Sequence, residues 1–260
     1  MKKLLLISSV CAVAALASQA AQAEVKVRAG VASSTYSLGG DYVEAKSSYN
    51  PTTLGLTFAA DNGFYVDLAV SGGTGEHDGW AVANAPTTVC GGTSCGNLAS
   101  PAENFKRQDL ALIFGGSKLN PNNGIAGTFY VGLKTGKTTL GAQNAGLLWT
   151  EETFDTSGLV FGGGASFPVA SGRAGSVGVN AGLGIMGAKW KDDTGFNVKA
   201  KTAVGFSFGV NYTYPITSNF GVTVDYKGNA YGYTFGEDTS NPFKVNETIS
   251  SLGATVYAKF

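Results

Sequence analysis

Apolar and polar residues alternate along most of this chain, and the last stretch shows the pattern most plainly. Leu252, Ala254, Val256, Ala258 and Phe260 are apolar, while Gly253, Thr255, Tyr257 and Lys259 between them are small, polar or amphipathic. A period of two puts one set on each face of a β-strand. The same alternation marks Val25–Val31, Leu54–Ala60, Phe64–Val70, Leu110–Phe114, Phe129–Leu133, Leu159–Phe167, Val177–Ile185, Val204–Tyr212 and Val222–Tyr226, which makes ten predicted strands with the last. Asp61-Asn62-Gly63 reads as a tight hairpin turn. Asn120-Pro121-Asn122-Asn123-Gly124, Pro168 to Gly175 and Pro215 to Asn219 read as further turns. The other connections are mostly longer and polar: 36–50, 72–104, and loops around Trp149, Trp190 and 235–245. Short turns thus alternate with longer loops.

The ends add a compartment. Lys2 and Lys3 precede an apolar run from Leu4 to Leu16, and Ala21-Gln22-Ala23 supplies small residues for cleavage. Residues 1–23 read as a secretory signal peptide that takes Cys11 with it, leaving 24–260 as the mature domain. Losing both lysines moves the formal charge from 0 to −2. With no basic excess, nucleic acid is excluded as a partner. No later run of about 18 apolar residues exists to form a membrane helix. The 38 Gly, 15 Phe and 11 Tyr favour short extended segments over long helices.

An exported, amphipathic strand that ends abruptly on Phe260 would be a poor edge for a sheet in water. It makes sense if it closes a barrel by pairing with the first strand. A terminal amphipathic strand ending in Phe resembles the assembly signal of Gram-negative outer-membrane β-barrel proteins; the aromatic usual two residues before the end is Ala258 here. The resemblance covers signal peptide, strands and terminal Phe260. It implies an all-β, transmembrane antiparallel up-and-down β-barrel of about ten strands, with eight or twelve as neighbouring solutions. It also implies an outer-membrane location, loops outside and termini in the periplasm. The partners it implies are outer-membrane lipid, lipopolysaccharide and the barrel assembly machinery.

Candidate chemistry is sparse. Lys26, Arg28, Asp67, Arg107, Asp109, Lys134, Asp225, Lys227 and Lys259 alternate with the apolar face, so in a barrel they line the lumen. Paired across it they plug it; hydrated, they line a narrow channel, since about eight strands give a filled interior and sixteen or more an open pore. Cys90 and Cys95 share the longest loop, and an even pair in an oxidising compartment predicts a disulfide rather than a metal site. His77 is the one histidine. It is the only candidate base for a Ser-His-acid device, but its Gly-rich surroundings favour a solvated loop residue. Gly182-Leu183-Gly184-Ile185-Met186-Gly187 spells a dinucleotide fingerprint without the helix it needs. Gly132 to Thr138 falls one residue short of a P-loop. No cofactor or metal is expected.

Tyr36, Trp149, Trp190, Tyr212, Tyr214, Tyr231 and Tyr233 fit aromatic girdles at the membrane interfaces, or sugar-binding platforms. Glu151, Glu152, Asp155, Asp192, Asp193, Glu237 and Asp238 are expected to be solvated in loops, or bridged by divalent ions to lipopolysaccharide. The reading that follows is a non-enzymatic, porin-like narrow conduit for a small solute or ion. Its alternatives are a closed structural, adhesin or receptor barrel acting on a host-surface ligand through its loops, and, less favoured, an enzyme using His77.

Overall fold

A computed structural model describes residues 24–41, 44–78, 105–143, 149–169, 174–192, 195, 197–237 and 242–260. The signal peptide and the Cys90–Cys95 pair lie outside the described residues. Eleven antiparallel strands follow in chain order: β1 Glu24–Gly40, β2 Glu44–Tyr49, β3 Thr52–Ala59, β4 Phe64–Asp78, β5 Phe105–Leu119, β6 Ala126–Gln143, β7 Trp149–Pro168, β8 Ser176–Asp192, β9 Asn197–Pro215, β10 Phe220–Phe235 and β11 Phe243–Lys259. β4 to β11 each pair with the next strand in the chain, β1 is joined to β4 through both β2 and β3, and β11 pairs with β1, so the sheet closes on itself. The seam is tied at its very end, where Val25 and Phe260 exchange backbone hydrogen bonds of 3.2 and 2.9 Å.

β2 and β3 both lie between β1 and β4 and share one position in the ring, which therefore has ten. Pro51 separates them because it has no N–H to give the ladder; its carbonyl still accepts from Ala32 N at 3.0 Å. The segment 36–50, expected as a loop, is therefore largely the hairpin of β1 with β2. Trp149, Glu151 and Glu152 likewise belong to β7. Most strands run 15–20 residues, well beyond the roughly 9–11 that cross a membrane.

The extra length has a physical reason, visible in which face is apolar. At the end holding the termini and short turns, apolar residues point outward and polar ones inward. Val27 and Val31, Phe129 to Leu133, Val177 to Ile185 and Leu252 to Val256 all place exposed apolar side chains on the outer wall. On β8 this band spans Val177 to Ile185, about 20–25 Å at the usual rise and tilt, the height of a lipid-facing belt. Towards the other end the faces exchange. Outward positions become Ser33, Thr35, Thr135, Ser157, Thr248 and Ser250, while Tyr36, Leu38, Phe105, Leu140, Phe154, Trp190, Phe235 and Val245 turn inward and are buried. The lower half is an inverted barrel suited to lipid, and the upper half carries an apolar core as a barrel in water does.

The belt makes a direct prediction. Val131→Arg, on the lipid face of β6, should lower folding stability by about 2–4 kcal/mol if it sits near the bilayer midplane. The same change at Thr139, above the belt on that face, should be near neutral. Urea unfolding in lipid vesicles, followed by gel mobility, measures both.

Candidate functional site in the barrel interior

The alternation puts all nine of the charged residues picked from the sequence on inward positions, and the interior sorts them into levels. Nearest the termini, Lys259 Nζ lies 3.2 Å from Glu24 Oε2, and Lys26 Nζ sits 4.3 Å from the centre of the Tyr257 ring. Arg28 from β1 reaches Asp67 on β4 at 2.5 Å, and Thr57 Oγ1 donates to the same carboxylate oxygen at 2.5 Å.

Half-way up, Asp109, Lys134, Asp225, Lys227 and Asn229 surround a cavity of about 230 Å³ that Ser71 and Ser251 also line. Lys227 Nζ is 2.9 Å from Asp225 Oδ2. Lys134 crosses the interior from β6 to β10, donating to Asn229 Oδ1 at 3.4 Å with its ammonium 5.6 Å from the Tyr231 ring centre.

Above the cavity, Arg107 from β5 spans the lumen to Glu247 on β11; Nη1 binds Glu247 Oε1 and also donates to Thr138 Oγ1 at 2.7 Å. Nε and Nη2 hold Asp109, at 3.1 and 2.8 Å. Arg107 and Glu247 are 2% and 1% exposed, so the pair lies in a low-dielectric interior where both charges depend on each other. The guanidinium lies against Gly136, where a Cβ would collide with it. Gly136→Val should therefore displace Arg107 and shift urea unfolding to lower denaturant, whereas Gly127→Val, in open space on the outer wall, should leave the midpoint in place.

The top level is apolar. Tyr36 and Tyr49 pack on Phe105 at ring distances of 5.1 and 5.0 Å, joining β1 and β2 to β5. Phe154 meets Trp190 at 6.1 Å and Tyr233 at 5.4 Å, and Phe235 stacks on Phe243 at 5.3 Å. Phe154–Trp190 and Phe235–Phe243 are pairs across adjacent strands, whereas Tyr36–Phe105, Tyr49–Phe105 and Phe154–Tyr233 are chords between strands that are not neighbours in the sheet, so the rings reach into the cross-section. Every one of these side chains is at most 6% exposed. We call this level the aromatic plug.

The structure corrects several expectations here. Tyr36, Trp190, Tyr231 and Tyr233 are interior residues and not girdle residues, because each stands at inward parity; Tyr212 and Tyr214 are exposed on the outer wall. Glu152 points inward and accepts a hydrogen bond from Trp190 Nε1 at 2.5 Å, and Asp155 lies on the outer wall of β7, 3.0 Å from Lys191 Nζ. Neither is a solvated loop acid. The backbone of His77 pairs with Ser47 at the loop end of β4, and Ser47 Oγ donates to the Glu76 carbonyl at 2.6 Å. The strand β8 runs unbroken through Gly182 to Gly187, with no helix to hold a dinucleotide. Sequence reasoning passed over Glu247, Thr138 and the plug. The signal was the parity change, for example from odd Phe129, Val131 and Leu133 to even Thr138 and Leu140 on β6.

A closed ring of antiparallel strands with a lipid belt at one level and polar groups behind it has the architecture of a transmembrane β-barrel. Solved structures similar to the chain include Neisserial surface protein A (NspA), at 11% identity and a TM-score of 0.40 over 91% of this chain and 97% of that one. The translocator domain of the autotransporter NalP from Neisseria meningitidis is 11% identical, with a TM-score of 0.45 over 98% and 95%. The Pseudomonas putida toluene transporter TodX is 10% identical, with a TM-score of 0.38 over 94% and 90%. No protein-family model matches the chain, and no curated protein matches it. Barrels of this kind carry many activities, so function has to be argued from the interior and the loop end.

Proposed function

We propose that this protein is a closed outer-membrane barrel, its loop end outside the cell and its termini in the periplasm, that acts as a surface-exposed structural or binding protein. The observation behind this reading is the aromatic plug. A conduit needs a hydrated path along its axis, whereas the upper interior here is packed with buried rings above the Arg107–Glu247 pair. The inward charges then act as struts: Arg28 with Asp67 joins β1 to β4 over the intervening β3, and Arg107 with Glu247 ties β5 to β11 across the lumen. Rigid walls projecting above the membrane hold the loops at a fixed height and spacing, which suits recognition at the surface. The reading assigns no catalytic role to His77, in keeping with a neighbouring Ser47 hydroxyl that is engaged by backbone.

Liposome swelling tests this directly. Vesicles containing the folded mature chain should not swell faster than empty vesicles in small sugars or amino acids. Swelling that tracks solute size would reinstate the conduit.

A further inference from the structure

The outer wall is uneven just above the lipid belt. On β6 to β9, Lys137 is in register with Asp155, Asp155 with Lys189, and Lys189 with Lys199. Four adjacent strands thus carry one lateral row of three ammonium groups and one carboxylate. That carboxylate is already engaged, because Lys191 Nζ holds Asp155 at 3.0 Å. Lys106 stands one step higher on β5, opposite Thr139. The other described acid on this part of the wall is Glu151, four residues beyond Asp155 on β7. None of Lys106, Lys137, Lys189 and Lys199 makes an ion pair with a described residue.

Such a row opposes itself. Like charges directly opposite on neighbouring strands are destabilising, and Lys189 faces Lys199. Across the barrel, the first two steps above the belt carry Ser33 and Thr35 on β1 and Ser250 and Thr248 on β11, with no charge at all. The lysines are therefore confined to one side. They begin four residues beyond Leu133 and Ile185, the last outward-facing apolar positions of their strands, which is about 10 Å along the barrel axis at ordinary rise and tilt. A lysine stem bends several ångströms back towards the belt and brings its ammonium into the headgroup layer.

We propose that this face is a binding site for the phosphate groups of an anionic glycolipid in the outer leaflet, with its acyl chains lying on Leu133, Leu159, Ile185 and Val204 directly below. The proposal rests on the outward placement of the loop end given above. Lysines bind phosphate as point charges, without the planar bidentate fork of arginine. A soluble sulfated polysaccharide offers the same charge chemistry. The row favours the lipid because it lies on the side wall immediately above exposed apolar surface, where an amphiphile gains on both of its ends.

The test uses the full mature chain folded in detergent, with heat-modifiable mobility showing that the barrel is intact. Bisphosphorylated lipid A, its dephosphorylated counterpart and a sulfated oligosaccharide are titrated separately and read by native mass spectrometry. The wild type should hold the bisphosphorylated lipid in preference to the dephosphorylated one. Lys137→Gln/Lys189→Gln/Lys199→Gln should weaken it on the order of a hundredfold, given the usual contribution of each lysine near a charged surface. Lys46→Gln/Lys244→Gln, elsewhere at the loop end, should leave it unchanged. Equal binding by the triple variant, or wild-type binding that ignores the phosphates, overturns the proposal. So does a triple variant that loses only the sulfated oligosaccharide. Should the triple variant fail to fold, the wild type carries the test: lipid retention must fall steeply with ionic strength, and salt-independent retention overturns the site. These readouts are indifferent to whether the lumen conducts.

Discussion

Replacing Phe154, Trp190 and Phe235 together with alanine should turn a silent barrel into a conducting one. In a planar bilayer the wild type is expected to give no discrete current steps, because ions would have to cross a level filled by the buried rings of the plug. Narrow hydrophobic constrictions exclude ions by excluding water. Removing three rings from β7, β8 and β10 leaves a void continuous with the loop end and open to the cavity half-way down. That cavity is lined by Asp109, Lys134, Asp225 and Lys227, two charges of each sign, so the opened variant should select weakly between anions and cations. Adding Lys134→Glu should tilt it towards cations. Steps in the wild type would show that the plug moves aside, and a folded triple variant that stays silent would place the seal elsewhere. Gel mobility before and after heating separates a closed barrel from an unfolded one.

The second large effect is expected from the buried pair beneath the plug. Arg107→Ala leaves Glu247 without its cation at 1% exposure. Stranding one member of such a pair costs about 3–5 kcal/mol. The loss should appear as a lower urea midpoint for unfolding from vesicles, with Trp190 fluorescence as the reporter because that indole is buried in the plug above. Glu247→Leu should cost a similar amount by stranding the guanidinium, although Asp109 still holds two of its nitrogens. The combination Arg107→Met with Glu247→Leu should recover much of the loss, since apolar replacement of a whole buried pair is often neutral. Additive losses in the double variant would mean that the two side chains do not act on each other, and the cross-lumen strut would be wrong.

Together the two experiments divide the interior by task. The ring packing closes the lumen, and the ion pair joins β5 to β11 across it. A barrel wall is already closed by its backbone hydrogen bonds, so side chains that also cross the lumen resist flattening of the ring. That rigidity matters most above the belt, where lipid no longer presses on the wall.

The strand positions, the direction of each lower side chain and the closure of the ring were legible in the chain itself. Period-two alternation needs no partner to be read, and Leu252 to Phe260 could only be stable against a first strand. The nine inward charges followed from the same parity. The extent of the strands did not follow, because outward Ser, Thr and Lys above the belt look like loop composition when the apolar residues beside them are assigned to the wrong face. Trp190 and Tyr233 read as interfacial aromatics, although the unbroken alternation of β8 and β10 sets them on the same inward face as Gly184 and Asp225; what changes near Met186 and Ala230 is which face is apolar.

Which distant side chains meet inside the barrel was beyond the sequence. Arg107 and Glu247 stand 140 positions apart, and no local pattern says that they meet. Their contact is set by ring size and strand register, as are the chord from Tyr36 to Phe105 and the row of Lys137, Lys189 and Lys199. A single strand's alternation determines which way each side chain points; only the closed sheet decides what it points at.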